Sequence, residues 1–216
     1  MMRLVRELER RLERLAESPG RALGGSVTPA ELGARLQREA DLGLEGGLYG
    51  PVAPNRYQLS LHPGDLSPLP LQELAHDLAG LLDALAAERG WRLEGPVSVD
   101  FRADPSLRAG AVQCTAATEP GTPFAWARLT SPTRVLAVHH NLSVVGRDAG
   151  CDLVIPDRAV SRRHALLWQE SGSAWVRDLN STNGTYVDGG SVDGPNALGT
   201  SHAINFGPLS FVFELL

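Results

Sequence analysis

The chain has 216 residues, a length that accommodates one large domain or two small ones, each with its own hydrophobic core. Hydrophobic residues make up 43% of it and charged residues 21%, as in ordinary globular proteins. The net charge of −5 is spread evenly: residues 1–117 contain 13 Arg against 16 acidic residues, and residues 118–216 contain 7 Arg against 9. Nucleic-acid binders usually carry a positive domain, because phosphate contacts supply much of their affinity, so nucleic acid is disfavoured as a partner.

The sequence carries no segment typical of membrane insertion or secretion. No run approaches the roughly eighteen consecutive apolar residues of a transmembrane helix, and Met1–Glu7 lacks the apolar core of a signal peptide. The two cysteines, Cys114 and Cys151, are too few for a disulfide framework or a metal cluster. We therefore expect a cytoplasmic protein that binds no metal and no cofactor and does not insert into membranes.

Two helix patterns open the N-terminal half. Residues 3–17 carry leucines on one helical face among mixed Arg and Glu, which favours packing against the same chain over binding to a membrane surface. A second helix is predicted to begin after Thr28, the N-cap, with Pro29 in its first turn. Glu31 completes a capping box, and the pattern ends near Ala40.

The rest of this half mixes strand and helix patterns. Alternating apolar residues predict a half-buried strand over residues 55–61, and a leucine-rich helix follows over residues 68–89 and is ended by Gly90. Further short strands fit residues 91–94, 96–102 and 111–117. The sequence thus predicts an α+β domain over residues 1–117, followed by a short linker at residues 118–123.

The C-terminal half consists of short apolar runs separated by turn residues. Nine strands are predicted, over residues 125–130, 134–138, 142–146, 152–155, 164–169, 174–179, 185–188, 201–206 and 208–215. Many short strands at this spacing, without an intervening helix pattern, predict an all-β sandwich over residues 124–216. Binding residues in such a fold belong on the loops at one end.

Three polar clusters fall on those loops: Gly146-Arg147, Ser161-Arg162-Arg163-His164 and Asn180-Ser181-Thr182-Asn183-Gly184-Thr185. Their order and their setting in an all-β pattern resemble the forkhead-associated (FHA) domain, a β-sandwich that binds phosphothreonine in partner proteins. The chemistry agrees, because a guanidinium fork and a short hydroxyl suit a phosphate with nearly two charges and three acceptor oxygens.

The resemblance implies a role for five of these residues in binding. Arg147 and Ser161 are expected to contact the phosphate, with Arg162 beside them. Asn183 is expected to hold the peptide main chain, and Thr182 to shape the pocket for the threonine methyl group. Taken singly, each residue has an ordinary structural explanation, such as a solvated Arg or a hairpin Asn-Gly; their combination favours the binding site.

Three further residues are expected to support the site. The resemblance makes His164 a framework residue that braces the loops through hydrogen bonds and has no catalytic role. Gly146 and Gly184 are expected to permit backbone geometry that a Cβ atom would obstruct.

The N-terminal half resembles the domain that is joined to an FHA domain in the bacterial FhaA family. The matching pieces are Thr28-Pro29-Ala30-Glu31-Leu32, Leu36-Gln37-Arg38-Glu39, Pro54-Asn55-Arg56-Tyr57, Gly95-Pro96-Val97 and Asp104-Pro105-Ser106-Leu107. The two resemblances together cover almost the whole chain. They imply a non-enzymatic adaptor in bacterial Ser/Thr kinase signalling, with threonine-phosphorylated kinases or their substrates as partners, including cell-wall and division proteins.

Two other classes of function are weighed against the adaptor. An enzyme, such as a hydrolase, is disfavoured because the sequence contains no nucleophile elbow, Walker loop or metal-spaced histidine pair. A scaffold or dimerisation protein that acts through the N-terminal domain without phosphorylation remains the alternative.

Overall fold

The computed structural model describes residues 27–216, so the helix predicted over residues 3–17 lies outside the described residues. The chain divides into two compact units. The first contains the described residues up to Glu88 together with Leu93–Gly121, and the second contains Arg89–Arg92 and Thr122–Leu216. No helix within residues 27–216 is long and apolar enough to cross a membrane.

The N-terminal part of the described chain mixes helices and strands, as predicted. In chain order its elements are α1 (Pro29–Leu42), β1 (Glu45–Gly46), β2 (Pro51–Ala53), β3 (Arg56–Leu61), α2 (Pro63–Leu66), α3 (Leu71–Arg89), β4 (Arg92–Leu93), β5 (Ser98–Ala103) and β6 (Val112–Ala117). In one sheet β3 lies between β5, which is parallel to it, and β6, which is antiparallel; β1, β2 and β4 form a second small sheet.

Local sequence explains the start of the first helix. The Thr28 hydroxyl accepts a hydrogen bond from the Glu31 N–H, and the Glu31 carboxylate accepts one from the Thr28 N–H, so the predicted capping box is confirmed. Alternating Tyr57, Leu59 and Leu61 on β3 are buried, as the strand pattern predicted.

Helix α3 begins at Leu71, three residues later than the sequence suggested. The carbonyl of Pro70 accepts the Leu74 N–H at 2.9 Å, so Pro70 closes the first turn from outside the helix. A proline has no N–H to donate and restricts the residue before it, and the leucine pattern does not extend the helix through it.

The second unit is an all-β sandwich. Its strands are β7 (Ala127–Ser131), β8 (Arg134–Val138), β9 (Ser143–Gly146), β10 (Leu153–Val154), β11 (Ala165–Glu170), β12 (Ser173–Asp178), β13 (Thr185–Val187), β14 (Gly190–Ser191), β15 (Asn196–Leu198), β16 (Ser201–Phe206) and β17 (Leu209–Leu215). One sheet has the order β10-β9-β11-β12-β15 and the other β14-β13-β16-β17-β7-β8. Their inner faces share one core, which includes Val145, Leu167, Val176, Phe206 and Phe213.

The nine predicted strands are present with small shifts of their ends, whereas β14 and β15 were missed. Both lie between Asp188 and Thr200, where glycine and polar residues dominate. Strands of two and three residues are too short to show an alternating pattern, so their pairing partners define them.

Candidate functional site

Strand register brings the three polar clusters together. Val145 on β9 lies opposite Ala165 on β11, which in turn lies opposite Asp178 on β12. The first cluster directly follows Val145, the second directly precedes Ala165, and the third begins two residues after Asp178. Neighbouring strands lie about 5 Å apart, so this single row places all three loops at the same end of one sheet.

Backbone hydrogen bonds continue beyond the strand ends and fix the loops. The Arg147 N–H donates to the Ser161 carbonyl at 3.0 Å, and the His164 N–H donates to the Val145 carbonyl at 2.8 Å. The loop that carries Ser161 also bonds to the third cluster's side of the sheet, where the Leu179 N–H donates to the His164 carbonyl at 2.8 Å. The loop that carries Ser161 is therefore held from both sides.

The loops surround a cleft of about 690 Å³. All five residues that the sequence assigned to binding line it: Arg147, Ser161, Arg162, Thr182 and Asn183. Five others complete the lining: Asp148, Arg158, Ala159, Val160 and Arg163. The sequence could not show that four of the lining residues are arginines from two loops.

Arg147 has a fixed backbone and an uncommitted side chain. The preceding Gly146 is required by packing, because a Cβ atom there would overlap the carbonyl oxygen of Arg162 and lie only 2.8 Å from the Cys151 sulfur. The Arg147 side chain is exposed and has no hydrogen-bond or carboxylate partner among residues 27–216. Its five N–H donors are available to a ligand in the cleft.

Ser161 and Thr182 place two hydroxyl groups side by side on the cleft wall. The Ser161 hydroxyl accepts the Thr182 N–H at 2.9 Å and lies 3.4 Å from the Thr182 hydroxyl. This pairing joins the β10–β11 loop to the β12–β13 loop. Hydroxyl hydrogens rotate to suit their surroundings, so Ser161 can donate to an anion while it still accepts from Thr182.

His164 lies fully buried beneath these loops. Its Nδ1 accepts the Ser161 N–H at 3.1 Å, and its Nε2 lies 3.1 Å from the Gly184 carbonyl oxygen, to which it donates in the tautomer that satisfies both bonds. Burial lowers the pKa of His164 below its usual value, although the bond to Gly184 and the charge of Asp178 oppose that shift. The neutral ring thus links the loop of Ser161 to that of Gly184.

Asn183 connects the same two loops on the side of the cleft. Its side-chain N–H group donates to the Ala159 carbonyl at 2.8 Å, whereas its Oδ1 accepts no hydrogen bond from any residue in 27–216. Gly184 follows with φ of +74°, a conformation that L side chains rarely adopt. The Asn183 Oδ1 can therefore accept a hydrogen bond from a ligand in the cleft.

Sequence reasoning missed Asp178, which holds the third cluster in place. Its carboxylate accepts the Ser181 N–H at 2.8 Å, the Ser181 hydroxyl at 2.7 Å and the Thr185 hydroxyl at 2.6 Å. Burial raises the pKa of Asp178, but these hydrogen bonds outweigh burial and leave the pKa below its usual value. Asp often precedes a turn because its carboxylate accepts hydrogen bonds from nearby backbone N–H groups, and this preference is the signal that marks Asp178 in the sequence.

The cleft is much more positively charged than residues 118–216 as a whole. Four of the seven arginines after residue 117 line the cleft, against one carboxylate, Asp148. The same stretch of chain carries more acidic residues than arginines. Positive charge is therefore concentrated where the loops converge, which suits an anionic ligand. Among the described residues, no group of His, Cys, Asp and Glu side chains is arranged to hold a metal ion.

Comparison with known families agrees with both units. Residues 5–115 match the family described as FhaA, N-terminal domain, and residues 143–207 match the FHA domain. The second unit is thus a forkhead-associated domain, with the predicted sandwich fold. Since the first match covers just over half of the chain, the chain belongs to the FhaA family.

Individual relatives cover parts of the chain. The FHA domain-containing protein FhaA of Mycobacterium tuberculosis is 33% identical over 127 residues, which are 55% of this chain and 23% of that protein. The oxoglutarate dehydrogenase inhibitor of Corynebacterium diphtheriae is 34% identical over 96 residues, which are 41% of this chain and 67% of that protein. A crystal structure of the FhaA FHA domain, solved in complex with the intracellular domain of another protein, is 27% identical, covers 42% of this chain and all of that one, and has a TM-score of 0.38.

Proposed function

We propose that this protein is a phosphothreonine-dependent adaptor whose FHA domain binds threonine-phosphorylated proteins. The observation that carries the proposal is the cleft, which is lined by Ser161 and by two arginines, Arg147 and Arg162, that have no carboxylate partner among residues 27–216. The arrangement offers charge, a planar fork and a short donor to one phosphate group.

In the proposed complex the phosphate binds between Arg147 and Ser161, with Arg162 adding a further positive charge. The Thr182 side chain flanks the same position and contacts the threonine methyl group. The Oδ1 of Asn183 accepts a main-chain N–H of the peptide, which fixes the direction of the bound chain.

The expected affinity is moderate. A hydrogen bond to a charged group contributes about 1.5–3 kcal/mol, so two or three such bonds account for most of a micromolar affinity of roughly 8 kcal/mol. The hydrogen bonds between Ser161 and Thr182 hold both side chains in place, which reduces the conformational entropy that phosphate binding costs.

The partners we propose are Ser/Thr kinases or their substrates in the bacterial cytoplasm, including proteins of cell-wall synthesis and division. The proposal assigns no catalytic activity to the chain. The curated FhaA of Mycobacterium tuberculosis is much longer, since this chain spans 23% of its length. The function of the whole relative therefore does not transfer by similarity alone.

Calorimetric titration of the full chain tests the proposal. The probe is a short phosphothreonine peptide with alanine and serine flanks, compared with its unphosphorylated form. Arg147→Ala and Ser161→Ala are each expected to weaken binding by about 10-fold or more, the loss of one charge-assisted bond. Arg177→Ala, which removes an exposed arginine outside the cleft, is the matched control and is expected to bind as the wild type does.

Two results would count against the adaptor. Equal affinity for the phosphorylated and unphosphorylated peptides would show that binding does not depend on the phosphate. Unchanged affinity in both cleft variants would show that the phosphate binds outside the cleft. Capture of the same partners from phosphatase-treated extract would favour the phosphorylation-independent scaffold.

A further inference from the structure

Two arginines of the cleft, Arg158 and Arg163, have no role in the phosphate contacts described above. Both are exposed and line the same cleft as Arg147. Neither has a carboxylate partner or a hydrogen bond to its guanidinium among residues 27–216. Unpaired guanidinium groups on a shared concave surface indicate a ligand that carries the missing negative charge.

The loop conformation holds Arg158 at the edge of the cleft. The Val160 N–H donates to the Asp157 carbonyl at 3.1 Å, which makes residues 157–160 a tight turn with Arg158 near its tip. The Asp157 side chain accepts the Ala159 N–H at 2.8 Å, and Val160 is buried in the core. Because both ends of the turn are fixed, Arg158 is presented by a rigid loop.

Arg163 is presented by the neighbouring segment. It lies between Arg162 and His164, whose ring is fully buried and hydrogen-bonded at both nitrogens. The exposed Arg163 side chain lines the cleft together with that of Arg162. The two arginines therefore stand on separate, anchored parts of the cleft wall.

The charges of the cleft decide what kind of ligand fits. The cleft holds four arginines and one carboxylate. A phosphothreonine brings close to two negative charges, so one positive charge remains in excess when it is bound. A single aspartate or glutamate of the peptide would balance this excess, whereas a second phosphate would exceed it.

We propose that Arg158 and Arg163 make this site selective for phosphothreonine peptides that carry an acidic side chain close to the phosphothreonine. The inference rests on the phosphothreonine-binding function proposed above and names the class of peptide that the site accepts. Both arginines are exposed, so dissolved salt screens their attraction to the acidic side chain of the peptide. Their contribution to the binding affinity is therefore expected to fall as the ionic strength rises.

The test uses the full chain and a phosphothreonine peptide with alanine and serine flanks, in which aspartate is placed in turn at each of the three positions before and after the phosphothreonine. In the wild type, at least one aspartate position is expected to tighten binding by about three- to tenfold at low salt, as for exposed charge pairs that also share hydrogen bonds. The Arg158→Ala, Arg163→Ala double variant is expected to lose that gain and still bind the alanine-flanked phosphopeptide. Arg177→Ala is expected to keep the gain.

The inference is overturned if no aspartate position improves affinity by more than about twofold, or if the gain persists in the double variant. A second phosphothreonine that improves affinity more than aspartate does at the same position would also overturn it, since the site would then take two phosphates. The alanine-flanked peptide separates these results from failure of the proposed function. If its phosphorylated and unphosphorylated forms bind alike in the wild type, the phosphothreonine assignment itself is wrong.

Discussion

Replacement of His164 by alanine is expected to destabilise the FHA domain and to abolish phosphopeptide binding. The ring is fully buried, packs edge-on against Phe206 at 5.6 Å between centroids and accepts the Ser161 N–H. Loss of a buried aromatic side chain costs about 3–5 kcal/mol, to which the unpaired Ser161 N–H and Gly184 carbonyl add their own penalties. For a domain of this size the melting temperature should fall by at least about 12 °C.

Tryptophan fluorescence is the appropriate assay, because all four tryptophans belong to the second unit: Trp91, Trp126, Trp168 and Trp175. The thermal transition followed at these residues therefore reports on this unit. His202→Ala is the control, because His202 lies away from the cleft and pairs with the exposed Asp188. A His164→Ala variant that melts within about 2 °C of the wild type and keeps its affinity would refute the bracing role assigned to His164.

The same residue gives the stability a pH dependence. Burial holds the pKa of His164 in the folded state below the unfolded value of about 6.5, so the unfolded chain takes up a proton first as the pH falls. Stability is therefore expected to decrease as the pH drops below about 6.5, until the folded pKa is reached. A His164→Gln variant should show a flatter dependence in this range, and an unchanged slope would contradict the shift.

Three further predictions concern the loops and the ligand. Gly146→Ala is expected to abolish phosphopeptide binding in the calorimetric titration, because the new methyl group would overlap the Arg162 carbonyl, whereas Gly150→Ala, with its nearest neighbour at 3.4 Å, should bind normally. Asp178→Ala should lower the unfolding free energy by about 2–3 kcal/mol and speed amide exchange at Ser181, since its carboxylate accepts three hydrogen bonds; unchanged exchange would contradict this. Replacement of phosphothreonine by phosphoserine in the peptide should weaken binding by about 10–200-fold, and equal affinity would show that the methyl group is not contacted.

Much of the fold follows from local sequence signals. The capping box of Thr28 and Glu31, the alternation on β3 and the longer strands of the sandwich all depend on neighbouring residues, and each is where the sequence predicted it. The exceptions are elements defined by their partners. The two-residue strand β14 exists because β13 pairs with it, and a pattern of two residues contains no periodicity.

For the candidate site as well, the sequence predicted features that depend on neighbouring residues and missed those that depend on strand pairing. The family resemblance predicted five of the residues that line the cleft. The row that joins Val145, Ala165 and Asp178 depends on strand register, and separate loop motifs do not encode register. Arg158 was missed although it lies within the loop that carries Ser161, because it is outside the three polar clusters that carry the resemblance. Only the folded loop shows that its side chain lines the cleft.

The central claim is that one phosphate binds between Arg147 and Ser161. A crystal structure of the full chain with a phosphothreonine peptide tests it most directly. The account predicts phosphate oxygens within about 3 Å of both the Arg147 guanidinium and the Ser161 hydroxyl, with the Asn183 side chain on the peptide backbone. A phosphate bound away from this cleft, or a peptide held there with its phosphate in solvent, would contradict it.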